Sequence, residues 1–308
     1  MLTRRAALAA TAAFAALPAR AQAPAPISVV ATFSILADFA RQVAGDRAEV
    51  VALVRPGGDA HVYAPTPADA RVLAGARLIV VNGLKFEGWI DRLVASSRSK
   101  GRIVVASAGV RTLRSPARAG GGRHAHGHDH GHGDVDPHAW QSVANAKVYV
   151  ANILAGLVAV DPDGREAYEA NARAYTARLD ALEAEAKAAI ERIPPARRKV
   201  ITTHDAFGYF ADAYGLRFVA PQGVSTEAAA TAQDVARIIR QIRAEKIPAV
   251  FAENVSDPRL AQRIAEETGA RIGGALYSDQ LSPPDGPAGT YIDMVRHNIR
   301  ELTKALAE

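Results

Sequence analysis

The sequence predicts an α/β protein of two similar lobes, each with a mostly four-stranded parallel sheet flanked by helices, joined by one long rigid helix. Three observations lead there. Short β-branched apolar runs are each followed by a helical pattern, the alternation comes in two sets of four, and one long amphipathic stretch lies between the sets.

In the first set, strands are expected at residues 27–32, 49–54, 77–82 and 102–106. In the second they are expected at residues 199–203, 216–220, 249–253 and 271–276. Between them, Tyr168, Ala172, Tyr175, Leu179, Leu182, Ala186 and Ile190 recur at alternating steps of four and three, with Glu169, Arg173, Glu183 and Lys187 off that stripe. Asp161 and Pro162 give this helix a start, and Pro194-Pro195 ends it. At about 1.5 Å per residue the stretch would reach roughly 45 Å, enough to run the height of both lobes, although it also reads as a long surface helix of one lobe.

Before the first strand, Arg4 and Arg5 precede an apolar run from Ala6 to Leu17 and small residues near Ala19-Arg20-Ala21, the pattern of a cleaved export signal. Cleavage is expected after Ala21 or Ala23, with Ala21 favoured because Pro24 crowds the other site. The arginine pair fits twin-arginine export and ordinary secretion alike. The run is shorter than the ~20 residues that span a bilayer, and no other segment reads as long and apolar enough to do so. The organisation expected is therefore a leader at 1–21, a first lobe at 24–160, a linking helix at 161–193 and a second lobe at 194–308.

The absence of cysteine excludes disulfides, thiolate metal sites and a lipidated cysteine anchor. Removing Arg4, Arg5 and Arg20 from the 37 basic residues leaves 34 against 32 acidic ones, so the basic pI does not point to nucleic acid.

Five of the nine histidines, His124, His126, His128, His130 and His132, fall at every second position of a glycine-rich segment, residues 115–135, that also carries Asp129. With no large apolar side chain before Val135, this segment is expected to be a mobile loop that captures metal, either as a selected shuttle or incidentally. Of the others, His61 follows the second strand in a loop stiffened by Pro56, Pro65 and Pro67, His138 sits in Asp136-Pro137-His138-Ala139-Trp140, and His204 follows the fifth strand. Asp279 follows the last apolar run, while His297, in a C-terminal helical pattern, has no assigned role. Parallel sheets bind ligands beyond the carboxyl ends of their strands, so His61, His138, His204 and Asp279, two from each half, could meet around one ion between the lobes. Any one of them alone reads as a solvated loop side chain.

The ordered set His61-Val62-Tyr63-Ala64-Pro65-Thr66-Pro67, Asp136-Pro137-His138-Ala139-Trp140, Thr203-His204-Asp205-Ala206-Phe207 and Asp279 resembles the zinc/manganese solute-binding proteins of ABC importers, over essentially the whole chain after the leader. The histidine-rich loop and the missing cysteines are most similar to AztC-like zinc-binding members. The resemblance implies that His61, His138, His204 and Asp279 ligate the ion; a soluble periplasmic monomer with an inner-membrane ABC permease as partner is expected, and a separate periplasmic zinc donor is left open at this point. Ser225-Thr226-Glu227 is followed by Ala-Ala-Ala-Thr rather than the frequent Glu-Pro-Ser, which leaves local packing in the second lobe open. Three imidazoles and a carboxylate suit tetrahedral Zn²⁺, whereas manganese members carry a glutamate at the position of His204. Manganese is the alternative cargo. A zinc hydrolase, with Glu253 as its base, is the alternative activity.

Overall fold

The computed structural model describes residues 25–114 and 135–307. The expected leader, its cleavage site and the loop residues His124, His126, His128, Asp129, His130 and His132 lie outside the described residues.

The first sheet holds β1 (Ile27–Phe33), β2 (Ala48–Val54), β3 (Leu78–Val81) and β4 (Arg102–Val105) in the order β2-β1-β3-β4, all parallel. The second holds β5 (Lys199–Ile201), β6 (Arg217–Val219), β7 (Ala249–Val250) and β8 (Arg271–Ile272) in the same relative order, β6-β5-β7-β8, again all parallel. Central strands covered on both faces should be apolar throughout, and β1 and β3 are. Val29, Val30, Ala31 and Phe33 are fully buried, as are Leu78, Ile79 and Val80.

Helices α1 (Ser34–Ala44), α2 (Pro67–Ala74), α3 (Ile90–Ser97) and α4 (Val143–Val160) belong to the first sheet, and α6 (Gly208–Tyr214), α7 (Ala232–Glu245), α8 (Pro258–Thr268) and α9 (Tyr291–Leu306) to the second. Their starts are written locally. Thr66 with Asp69 and Thr231 with Asp234 form reciprocal capping boxes on α2 and α7, and Asp257 caps α8 ahead of Pro258. Helix α4 corrects the expectation that no segment after the leader could cross a membrane, since its 18 residues are long and apolar enough by composition. Its apolarity serves the core instead: Tyr149, Ile153 and Leu157 are buried, and Lys147 pairs with Asp180 at 2.7 Å. Gly156 lets α4 lie against the sheet, because a Cβ there would fall 2.4 Å from Val104 Cγ2.

The long helix α5 (Arg165–Glu191) buries the expected stripe, Tyr168, Ala172, Tyr175, Leu179, Leu182, Ala186 and Ile190. A short 3-10 turn at Pro162–Gly164 precedes it, so the α-helix proper has 27 residues and is about 40 Å long. It packs on α1 and α4 of one lobe and on α6 and α9 of the other, the geometry of a strut. One apolar core runs through both lobes, from Val29 and Phe39 through Trp140 and Leu179 to Tyr291 and Leu302. A second, smaller core under α7 and α8 joins Ile201, Ile238, Ile242, Ile247, Val250 and Ile264.

Candidate metal centre

His61 lies beyond β2, His204 beyond β5 and Asp279 beyond β8, while His138 lies just ahead of α4, and these four side chains meet at one point. Nε2 of His61 lies 3.3 Å from Nε2 of His138. Oδ2 of Asp279 lies 3.3 Å from His61 Nε2 and 3.2 Å from His204 Nε2, while Oδ1 lies 3.6 Å from His138 Nε2. One donor atom from each of the four residues can be chosen so that all lie within 4.8 Å of one another. Donors placed tetrahedrally around zinc at roughly 2.0 to 2.1 Å are separated by about 3.3 Å, which the shorter of these contacts match.

The donors are sealed from water. His138 and His204 are fully buried, Asp279 is 1% exposed and the His61 side chain 4%. Phe86 meets the His61 ring edge-on at 4.5 Å, and Trp140 meets His138 at 5.3 Å. Yet Asp279 Oδ1, Asp279 Oδ2 and His204 Nε2 have no hydrogen-bond partner among the described residues. Buried polar atoms left so are costly, and three of them aimed at one point suit a bound cation.

The electrostatics carry the same sign. Burial opposes charge on His204, but the Glu253 and Asp279 carboxylates outweigh it and raise the imidazole well above the ordinary histidine value. Burial also opposes charge on Asp279, and the His204 and His138 rings outweigh it, holding the carboxyl well below its usual range. His61 goes down, chiefly because burial wins over its contact with Asp279. A site that deepens a carboxylate's acidity and holds an imidazole's proton is one that draws positive charge.

Each loop that carries one of these side chains is held in place. Asp136 Oδ1 accepts from both the backbone N–H and Nδ1 of His138, at 2.9 and 2.8 Å. Asn82 donates to Pro137 O at 3.0 Å and accepts from Tyr149 OH at 2.6 Å, while Glu87 accepts from the Asn82 backbone at 2.6 Å. Across the cleft, Trp140 Nε1 and Gln141 Nε2 donate to Ser278 O at 2.9 and 2.7 Å, fixing the residue before Asp279. The His61 loop is tied to the second lobe through Asp59, which accepts from His61 N at 2.9 Å and from Thr226 Oγ1 at 2.6 Å. This last bond shows how the Ser225-Thr226-Glu227 loop packs despite its unusual continuation.

The structure thus brings His61, His138, His204 and Asp279 together and leaves His297 on α9, where its Nε2 lies 2.9 Å from Ala275 O. Sequence reasoning missed the support given by Asp136. Its signal was present, since an Asp two residues before a histidine and followed by proline can fold back on that residue's backbone N–H.

Residues 29–305 match the family described as zinc-uptake complex component A periplasmic, ZnuA. The chain belongs to this family. Similar ZnuA-family relatives include the iron-binding protein YfeA of Yersinia pestis, 35% identical over 88% of this chain and 83% of that one. The manganese-binding lipoprotein MntA of Halalkalibacterium halodurans is 31% identical over 88% of this chain and 85% of that protein. Among solved structures, the periplasmic zinc binding protein TroA from Treponema pallidum superposes with a TM-score of 0.83 at 29% identity, covering 92% of this chain and all of that one. The chain is accordingly a metal-binding substrate-binding protein of the ABC-transporter class. The ZnuA-family relatives carry names with iron, manganese and zinc, so membership fixes the class of cargo and not the ion.

Proposed function

We propose that this chain captures Zn²⁺ in the periplasm and delivers it to an inner-membrane ABC permease, with His61, His138, His204 and Asp279 as the ligands. The observation that supports zinc is the donor set, three imidazole nitrogens and a carboxylate, with three of their contacts at 3.2 to 3.3 Å, close to the separation a tetrahedral zinc shell requires. A full shell of four protein ligands leaves no position for an activated water. Glu253, the base a hydrolase would need, has Oε1 taken by donors from Thr203 and His204 and Oε2 turned to His204 Nδ1 at 2.6 Å. These features favour transport over catalysis.

Manganese is the second reading, and one observation favours it. Asp279 turns both oxygens toward the imidazoles, so it can chelate and raise the donor count to five, with more oxygen than zinc requires. Elemental analysis of protein isolated from the periplasm, followed by competitive titration with zinc and manganese, separates the two. Zinc retained against excess manganese is the expected result, and preferential manganese loading would overturn it. The histidines at 124–132 precede His138 closely in sequence and are proposed to feed zinc inward. Deleting residues 118–134 should slow loading at limiting zinc while leaving affinity unchanged, and equal loading rates would refute the shuttle.

A further inference from the structure

Within this reading of the site, one buried carboxylate has a job that ligand geometry alone does not reveal. Glu253 follows β7, pairs through its backbone with Leu276, and is 2% exposed. Its Oε1 accepts from Thr203 N at 2.9 Å, Thr203 Oγ1 at 2.9 Å and His204 N at 2.8 Å. Its Oε2 lies 2.6 Å from His204 Nδ1, in a contact bent away from ideal hydrogen-bond alignment. Two lone pairs cannot sit that close, so a proton lies between them. Oε1 is taken by three donors, and between Oε2 and Nδ1 the imidazole is the stronger base, so that proton belongs on Nδ1.

We propose that Glu253 is a positioning residue that fixes the tautomer of His204, holding the proton on Nδ1 so that the Nε2 lone pair faces the cation. The ring has two nitrogens and only one can face the ion as a bare donor. His204 Nε2 is the one that points at Asp279, 3.2 Å from Oδ2, so the outward nitrogen must carry the hydrogen. Carboxylate contact to that hydrogen also makes the ring a stronger donor.

The pattern of contacts makes the choice of glutamate specific. A glutamine at 253 has one acceptor oxygen and one amide NH₂. If the oxygen keeps the Thr203 and His204 backbone donors, the NH₂ faces Nδ1, which must then accept, and the proton moves to Nε2, where it blocks the ion. If the amide flips, two backbone N–H groups that cannot rotate face a donor. Either arrangement works against metal binding, although the side chain has kept its size. His138 is under a looser rule: Asp136 uses a single oxygen for both of its bonds to His138, so one carbonyl could do the same.

The test is Glu253→Gln, titrated with zinc against a chromogenic chelator, with thermal unfolding of the metal-free protein as the fold control. Zinc affinity should fall by roughly 10- to 100-fold while the fold is kept, the range seen when a ligand's supporting group is lost. A folded E253Q that binds zinc as tightly as the parent overturns the proposal. Should E253Q not fold, the parent decides: in zinc-loaded, ¹⁵N-histidine-labelled protein, His204 should show a protonated Nδ1 and a metal-bound Nε2. The reverse pattern would refute the assignment. A parent that takes up no zinc at all is a different outcome, which removes the transport reading on which this inference rests.

Discussion

The two lobes share a strand order and differ in how much structure stands behind it. The first sheet pairs two strands of seven residues and two of four, while the second pairs strands of three, three, two and two. The first lobe lies wholly on the large core, but the outer half of the second rests on the small separate cluster beneath α7 and α8. Each lobe nonetheless supplies one imidazole backed by a carboxylate, His138 by Asp136 and His204 by Glu253. Equal ligand precision therefore does not need equal sheets. It is built in the loops, where side-chain hydrogen bonds take over from the ladder.

The comparison breaks most completely at the second lobe's imidazole. His204→Ala should abolish tight zinc binding, a loss beyond the ~100-fold that bounds removal of a supporting group, as read by calorimetric titration. Retention of tight binding would show that the lobes do not share one ion. Next comes the small core. Ile264→Ala should cost about 2 to 5 kcal/mol and loosen the outer second lobe before the rest, giving two separable denaturant transitions, one seen by hydrogen exchange in α7 and α8. A single coincident transition would mean the two cores fold as one.

Asp136→Asn sharpens the difference between the two supports. The asparagine carbonyl can accept both bonds that Asp136 Oδ1 accepts now, so zinc affinity should fall by less than ~10-fold, the low end of the range for supporting groups. A loss equal to that of E253Q would erase the distinction. The smallest effect expected is one of pH on the metal-free protein. Because the His204 pKa is raised above the ordinary 6.5, its stabilising contribution is complete below that pH and fades as pH rises through the folded value. Burial lowers His61, whose opposing contribution is already settled above pH 6.5. Metal-free protein should thus lose stability as pH rises above 6.5 in urea titrations while its zinc affinity rises, since imidazoles bind metal only when neutral. Parallel trends would contradict the assignment of the proton to His204.

Much of this was legible in the chain. The apolar runs located all eight strands, and the stripe from Tyr168 to Ile190 located the strut. The four gathered side chains were legible because each lies just past an apolar run or in a proline-stiffened loop, where parallel sheets place their ligands. The second set of strands came out shorter than the apolar runs imply. Thr202 N gives the last ladder bond to Val219 O, after which the Thr203 backbone turns to Glu253, and Gly273 is pressed against Phe251, where a Cβ would fall 2.1 Å from the ring. Periodicity reports burial, and loop residues turned into a dry cleft are buried as well. The bonds from Trp140 and Gln141 to Ser278 span more than 130 positions and leave no local pattern to read.

One feature of the architecture reaches beyond the ion itself. Since α5 is wedged against helices of both halves and a single apolar interior passes beneath the cleft, the halves are soldered along their spine. Such a body does not advertise its cargo by gaping like a clamshell. Full and empty forms should share nearly one silhouette in solution scattering, and a marked contraction on zinc loading would show that the spine bends.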